Sequence, residues 1–425
     1  MEINIIGAGL NGCLSAFKIK KKFPHYIVNL IESSDHVISA FDPIKMGEGL
    51  YNNGFHGIEL PRSKNLSDFF ESSLNINLVE KKNIKKLLIG GELVDYTSPL
   101  SEYPQSIKNY YKKVPTKPLE KFEEFYDCIS DEFKSILKII STRYSDKIHD
   151  VQHLLLPWFF PIEYDILSND EGDKFRTKVR SGKIESTYRW PEGMLLSKIQ
   201  KPFHASLKSI GVNIYLNSKV FFEDFGATVS NSNFVGKSTK TLSKDDIVIS
   251  CITPIGLLKK ISLDSYNDLT KCSKVMINAI IKVKSKSSQT FTEILCADTQ
   301  FYQLSRISKP LLVEDKKDED KNKEYFQLEI ITENNWNKDY FLKKINDFFS
   351  KTMKIYGYEL EEIIDIKETR KVFFPSKNSL ELAQNHIEIW SKKFHNYKTL
   401  KAFGPINMSK TWLYSEEVVN FINEI

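Results

Sequence analysis

The chain has 425 residues, 41% hydrophobic and 27% charged, which suits two or three folded domains and argues against a disordered polypeptide. Sixty basic residues stand against 55 acidic ones, a net charge of +5 with both signs interspersed, and only seven of the basic residues are arginines. That distribution lacks the concentrated basic segment of a nucleic-acid-binding protein. Five cysteines (Cys13, Cys128, Cys251, Cys272 and Cys296) are scattered without CxxC spacing, so neither a disulfide framework nor a zinc or other metal site is expected. No apolar run approaches the roughly 20 residues of a spanning helix. The longest, from Leu154 to Ile162, is broken by Pro157 and Pro161. With no basic leader ahead of the first apolar stretch, the expectation is a soluble cytoplasmic protein without nucleic-acid or membrane partners.

Residues Ile3–Ile6 read as a short buried strand, followed by Gly7-x-Gly9-x-x-Gly12 and a helical stretch from Cys13 to Lys20. A second strand, Tyr26–Ile31, ends at Glu32, twenty residues after Gly12. This is the order of a βαβ dinucleotide-binding unit. Gly7 permits the tight turn, Gly9 lets backbone approach a pyrophosphate, and Gly12 allows the helix to pack closely on the strand. The helix start, with Leu10 and Asn11, directs free N–H groups and a positive dipole end at phosphate. Glu32 can accept from both ribose hydroxyls and repels a 2′-phosphate, which argues against NADP. At this glycine content the bare three-glycine pattern should arise by chance about 0.03 times per chain.

Further along, residues 66–74 have helical spacing, and Leu87–Val94 predicts a hairpin around Gly90 and Gly91. Residues 118–168 read as amphipathic helix, with Phe122, Phe125, Ile129, Phe133 and Ile136 most simply forming core. Tyr188–Met194 reads as a turn, Leu195–Ser209 as a helix closed by Gly211, and residues 212–216 and 219–222 as strands. Residues 245–254 form a buried parallel strand. Strand-like alternation covers 273–335, broken by the charge run Glu314–Glu324, which is expected to be a solvated loop. A helix over 338–356, a strand over 361–369, a helix over 379–394, a strand over 400–403 and a final helix from Ser415 complete the chain.

Four segments in this order resemble the flavin-containing amine oxidase and protoporphyrinogen oxidase superfamily, related to phytoene desaturases and UDP-galactopyranose mutases. They are the N-terminal glycine motif with Glu32, the stretch Asn53-Gly-Phe-His56, the stretch from Pro191-Glu-Gly193 to Val220, and Phe403-Gly404-x-x-Asn407-Met408 with the last helix. The resemblance implies FAD as cofactor, Val220 meeting the adenine through its backbone, and Gly404, Asn407 and Met408 holding the pyrophosphate and flavin end. It also implies that Asn53–His56 lies beside the flavin ring. Two departures stand out. Where the family has Gly-Gly-Arg, this chain has Val37-Ile-Ser-Ala40, and where the mutases carry a diphosphate-gripping arginine after Gly404, it has Pro405.

The resemblance implies an α/β architecture: a discontinuous Rossmann-type FAD-binding domain (1–65, 190–258 and 371–425) with a second domain of helical insertion (66–189) and mixed sheet (259–370). The expected activity is that of an FAD-dependent oxidoreductase taking a hydride from a small-molecule substrate. A flavin-dependent nucleotide-sugar mutase and a non-catalytic FAD-fold protein are the alternatives. Two residues are candidates for the reaction itself. His56 either faces the ring or is hydrogen-bonded within its glycine-rich turn. Arg306, in an otherwise apolar strand, either grips a carboxylate or phosphate of the substrate or belongs to a structural ion pair. Arg176, Arg180 and Arg189 form either an acidic-substrate mouth or solvated surface. Pro157–Pro161 reads as a packing wedge or a cavity wall.

Overall fold

Residues 2–53, 57–60, 63–82, 84–95, 104–109, 112, 127–135, 187–193, 195–223, 226–231, 239–242, 246–262, 264, 266–267, 273–287, 291–297, 304–308, 323–373, 377–392, 396–399 and 408–425 are described by a computed structural model. In chain order, β1 (Glu2–Ile6), α1 (Leu10–Lys22), β2 (Ile27–Ile31), β3 (Ile44–Met46), β4 (Gly49–Tyr51), β5 (Ile58–Leu60), α2 (Lys64–Leu74), β6 (Leu78–Lys82), β7 (Lys85–Ile89), β8 (Glu92–Asp95) and the single turn α3 (Gln105–Lys108) come first. Next are β9 (Thr187–Pro191), α4 (Gln200–Ser209), β10 (Asn213–Tyr215), β11 (Ser218–Glu223), β12 (Gly226–Asn231), β13 (Thr239–Leu242), β14 (Ile247–Ser250) and α5 (Pro254–Ile261). The chain continues through β15 (Ser273–Ser285), β16 (Glu293–Ala297), β17 (Leu304–Ser308), β18 (Lys323–Thr332), α6 (Lys338–Lys351), β19 (Tyr358–Phe373), α7 (Lys377–Ser391), β20 (Asn396–Thr399) and α8 (Met408–Glu424).

The near-continuous apolar runs of β1, β2 and β14 are what a parallel sheet covered on both faces requires. These strands form the centre of a five-stranded parallel sheet in the order β10-β2-β1-β14-β20. Ile5 sits in register with Leu30 on one side and Ile249 on the other, and all three are fully buried. One face packs on α1, α2, α4 and α8 through Leu14, Ile19, Phe70, Phe203 and Val418. The other packs on β11–β13, α5 and α7 through Val220, Leu257, Ala383 and Trp390. The sheet therefore draws its strands from three stretches far apart in the chain.

A seven-stranded mixed sheet, β19-β15-β18-β17-β16-β7-β8, forms the second layer system. One face carries Ile277, Ile281, Leu328 and Ile330 onto α6, whose Phe341, Ile345 and Phe348 point inward at helical spacing. Asn337 caps that helix by accepting the Tyr340 N–H at 2.9 Å. The opposite face carries Glu293 and Gln327, which bond to Tyr188 of β9 and to Asn52 just after β4, and Ile280, which packs on Met46 and Tyr51 of the hairpin β3-β4.

The α/β architecture and the mixed second sheet agree with the reading from sequence, as do α2, the hairpin β7-β8 at Gly90 and Gly91, and the parallel strand β14. Several elements differ. Tyr188–Pro191 is a strand, paired on both sides, and the turn begins only at Glu192 and Gly193. The alternation of buried Tyr188 and Trp190 with Arg189 is the strand signal, which the following Pro-Glu-Gly obscured. Helix α8 begins at Met408, seven residues ahead of the predicted start. The last strand, predicted over 400–403, is found at Asn396–Thr399, and residues 400–407 lie outside the described residues. Strands β12, β13 and β16 were not separately predicted. The predicted helical stretch 118–168 and the charge run from Glu314 lie almost entirely outside the described residues. Among the described residues, no helix is long and apolar enough to cross a membrane.

Candidate functional site

The turn between β1 and α1 is closed by glycine chemistry. Gly7 adopts φ +95°, a left-handed conformation that L side chains disfavour, and its N–H donates to Ile31 O at 2.8 Å. A Cβ on Gly12 would stand 1.9 Å from the Gly7 carbonyl oxygen, so α1 lies directly on the turn. Gly9 is the opposite case. It is extended, with φ −65° and ψ 179°, and among the described residues a Cβ there would meet no atom within 4 Å. The described residues thus leave the space over the start of α1 open. That start has no side-chain cap and no acidic residue in its first turn, leaving N–H groups and the positive dipole end available to an anion. Asn11 Oδ1 is buried with no hydrogen-bond partner among the described residues.

Glu32 follows β2 and binds the same turn. Its Oε2 accepts the Ala8 N–H at 2.7 Å, and its Oε1 accepts the Ser34 N–H at 2.8 Å and the Ser33 hydroxyl at 3.0 Å. The corner between β10 and β11 docks on this residue: Glu32 N–H donates to Tyr215 O and Ser218 N–H donates to Glu32 O at 2.7 Å. Val220, two residues further and buried, is thereby placed beside the end of β2. Its carbonyl accepts the Lys260 ammonium at 2.8 Å. Burial, with Lys219 and Lys259 nearby, lowers the pKa of Lys260 below the usual lysine range. Cys13 and Cys251 flank the turn. Burial raises both thiols, that of Cys251 to about 12, so both are protonated and poorly nucleophilic.

At Val37-Ile38-Ser39-Ala40 the backbone makes a left-handed turn without a glycine. Ile38 has φ +57° and ψ +39°, a costly left-handed conformation for a β-branched residue. Burial of its side chain and its N–H bond to Ala8 O at 2.7 Å hold it there. The same turn is clamped by His36, whose Nδ1 lies 2.5 Å from Asp35 and whose Nε2 lies 2.7 Å from Asp42. Hydrogen bonding to Asp35, and then Asp42, raises the His36 pKa against the effect of burial. A raised folded-state value makes the clamp's contribution complete below the unfolded pKa of about 6.5 and lost as pH rises through the folded value. Stability of wild type relative to His36→Gln should therefore fall as pH increases from 6 to 8 in thermal melts; an unchanged difference would count against the clamp.

At the far end, Tyr414 OH donates to Ser250 O at 3.3 Å. Lys18 lies 3.4 Å from the centroid of Trp412 and 3.5 Å from Glu416, so α8 is locked onto α1. Burial lowers Lys18 to about 8, opposed by Glu416. Met408 is the first residue of α8, whereas Gly404, Asn407 and His56 lie outside the described residues.

Arg306 sits on β17, nearly buried, 3.6 Å from Glu293 and 3.4 Å from Glu329. Burial works against its charge, but the two carboxylates raise its pKa. Its Nε thus takes part in a largely buried ion-pair arrangement, one of the two alternatives read from the sequence. Arg189 is likewise paired, 2.9 Å from Glu71 and 2.7 Å from Glu80, while Arg176, Arg180 and residues 157–161 lie outside the described residues. Sequence reasoning missed Lys85, Glu59 and Glu293, which converge from β7, β5 and β16. No local pattern marks them, because only the pairing of β7 with β16 brings two of them together.

The chain matches no family model, and no curated protein matches it in sequence. Solved structures do resemble it over its full length. Reduced UDP-galactopyranose mutase aligns with a TM-score of 0.66 at 13% identity, covering 100% of this chain and 95% of the mutase. A putrescine oxidase variant redesigned in its cofactor binding aligns with a TM-score of 0.61 at 12% identity, covering 99% of each chain. A CLA-producing fatty acid isomerase from P. acnes aligns at 0.54 and 13% identity, covering 98% of this chain and 97% of the isomerase. The chain shares the fold of these three structures. A fold shared by a mutase, an oxidase and an isomerase does not by itself select a reaction.

Proposed function

We propose that the protein is an FAD-dependent enzyme of the oxidoreductase type acting on a small-molecule substrate. The observation that carries this reading is the contrast within the opening turn: Gly12 is sealed against Gly7, while Gly9, at an uncapped helix start, meets none of the described residues. A turn serving only the fold has no need of that open side. In this reading Gly7, Gly9, Leu10, Asn11 and Gly12 hold the pyrophosphate, Glu32 holds the ribose, and the Val220 backbone meets the adenine with Lys260 at its carbonyl. Gly404, Asn407 and Met408 complete the flavin end, and residues 1–65, 190–258 and 371–425 make up the cofactor domain. When bound, FAD supplies the hydride-accepting chemistry. His56 is retained as the candidate ring neighbour. Arg306, held beside Glu293 and Glu329, is retained as the candidate that meets an anionic group of the substrate.

Purified protein should be yellow, or should take up added FAD with quenching of flavin fluorescence. Glu32→Ala should weaken FAD binding about 100-fold, because it removes charge-assisted hydrogen bonds worth about 1.5–3 kcal/mol each. A colourless protein that takes up no FAD would sink the reading in favour of a non-catalytic fold. A second reading, nucleotide-sugar mutase, is favoured by the TM-score of 0.66 to UDP-galactopyranose mutase, while Pro405 weighs against it. Bleaching of the flavin by a substrate under anaerobic conditions supports oxidation; turnover only after prior reduction, without net electron transfer, supports the mutase.

A further inference from the structure

The face of the seven-stranded sheet opposite α6 buries a chain of alternating charge. Lys85 Nζ lies 3.4 Å from Glu59 and 3.1 Å from Glu293; Glu293 lies 3.6 Å from Arg306, which lies 3.4 Å from Glu329. The side chains of Glu293 and Glu329 are only 4% and 5% exposed. Burial opposes the charge on Lys85, yet Glu293 and Glu59 hold its pKa well above the usual lysine range. Buried ion pairs are weak sources of net stability compared with apolar packing, so their placement asks for another reason.

The placement is specific. Glu59 belongs to β5, which begins two residues after His56, whereas Glu293 belongs to β16 of the large sheet. Gly57, just before β5, packs so closely on Tyr188 and Trp190 that a Cβ would come within 2.7 Å and 2.8 Å of their rings. The Tyr188 hydroxyl in turn lies 3.3 Å from Glu293 Oε1, to which it donates. Upstream, the Asn52 carbonyl accepts from Gln327 Nε2 of β18 at 3.3 Å, and Asn52 Oδ1 accepts the Leu196 N–H at 3.0 Å. Both Asn52 and Glu59 are thus tied to the large sheet, Glu59 through the Lys85 ammonium, with the Tyr188–Glu293 bond alongside it.

We propose that Lys85 is a positioning residue, whose bridge from Glu59 to Glu293 fixes β5 against the large sheet and thereby sets the surroundings of the bound flavin. This rests on the FAD reading above. Supporting groups of this kind hold a site at its working geometry without touching the ligand. The test uses the full-length protein loaded with FAD, comparing wild type, Lys85→Met, the conservative Lys85→Arg, and Glu59→Gln, which cuts the same bridge from its other end. Lys85→Met and Glu59→Gln should bind FAD within about threefold of wild type, since neither residue belongs to the dinucleotide turn. Both should nevertheless change the visible circular dichroism and reduction midpoint of the bound flavin, and Lys85→Arg should restore them. If Lys85→Met does not fold, Glu59→Gln carries the same comparison. Variants with wild-type dichroism and midpoint overturn the positioning role while leaving the FAD reading intact; wild-type protein that takes up no FAD overturns both.

Discussion

Replacement of Gly12 by alanine is expected to cost roughly 3 kcal/mol of stability and to weaken FAD binding at least about tenfold, whereas replacement of Gly9 should affect binding alone. The Gly12 methyl group would meet the Gly7 carbonyl oxygen at 1.9 Å and its carbon at 3.1 Å, both backbone atoms that no rotamer change can move aside. Nor can Gly7 retreat easily. Its N–H is bonded to Ile31, and it packs against the backbone of Cys251 and Ile252, which a Cβ on Gly7 would meet at 3.3 Å. The β1–α1 turn would have to open. At Gly9 alanine fits the backbone angles and meets none of the described residues, so stability should stay within about 0.5 kcal/mol of wild type. Its methyl group would occupy the space assigned to pyrophosphate, and FAD affinity should fall. Denaturant melts and FAD titrations of the two variants separate the roles; a Gly9→Ala protein with unchanged FAD affinity would remove the main support for the cofactor site.

Glu293→Ala is expected to destabilise the protein by about 3 kcal/mol, the cost of breaking a buried ionic arrangement by removing one member. The carboxylate lies between Lys85 and Arg306 and accepts from Tyr188. Without it both cations keep one carboxylate each, Glu59 and Glu329, but with less charge to offset their burial. Glu293→Gln, which preserves shape and a hydrogen-bond acceptor, should lose less. The denaturant midpoint of each variant checks the order. Equal stability of Glu293→Ala and wild type would mean that the network is hydrated and energetically slack.

The opening unit was legible because each requirement is local. The spacing of Gly7, Gly9 and Gly12, the apolar runs on either side and the acid at position 32 lie within 31 residues, and each answers to one backbone or hydrogen-bonding need. Strand β9 was misread because a Pro-Glu-Gly turn signal outweighed three alternating residues. The left-handed turn at Ile38 was invisible for a related reason, since a β-branched side chain there gives no hint of positive φ. Arg306 stands out in the sequence as one of seven arginines, but the sequence does not name its partners. Glu293 and Glu329 are distant from the glycine motif and reach the arginine only through the pairing of β16, β17 and β18.

From residue order alone came the α/β class, the dinucleotide turn and the acid that closes it, because these follow from short-range periodicity and glycine geometry. The tertiary structure decided which charges meet. It paired Arg306 with two carboxylates, set Lys85 between two sheets, and sealed Gly12 while bringing none of the described residues against Gly9. Such pairings depend on strand order and on the approach of elements from opposite ends of the chain, and a linear pattern carries no record of either.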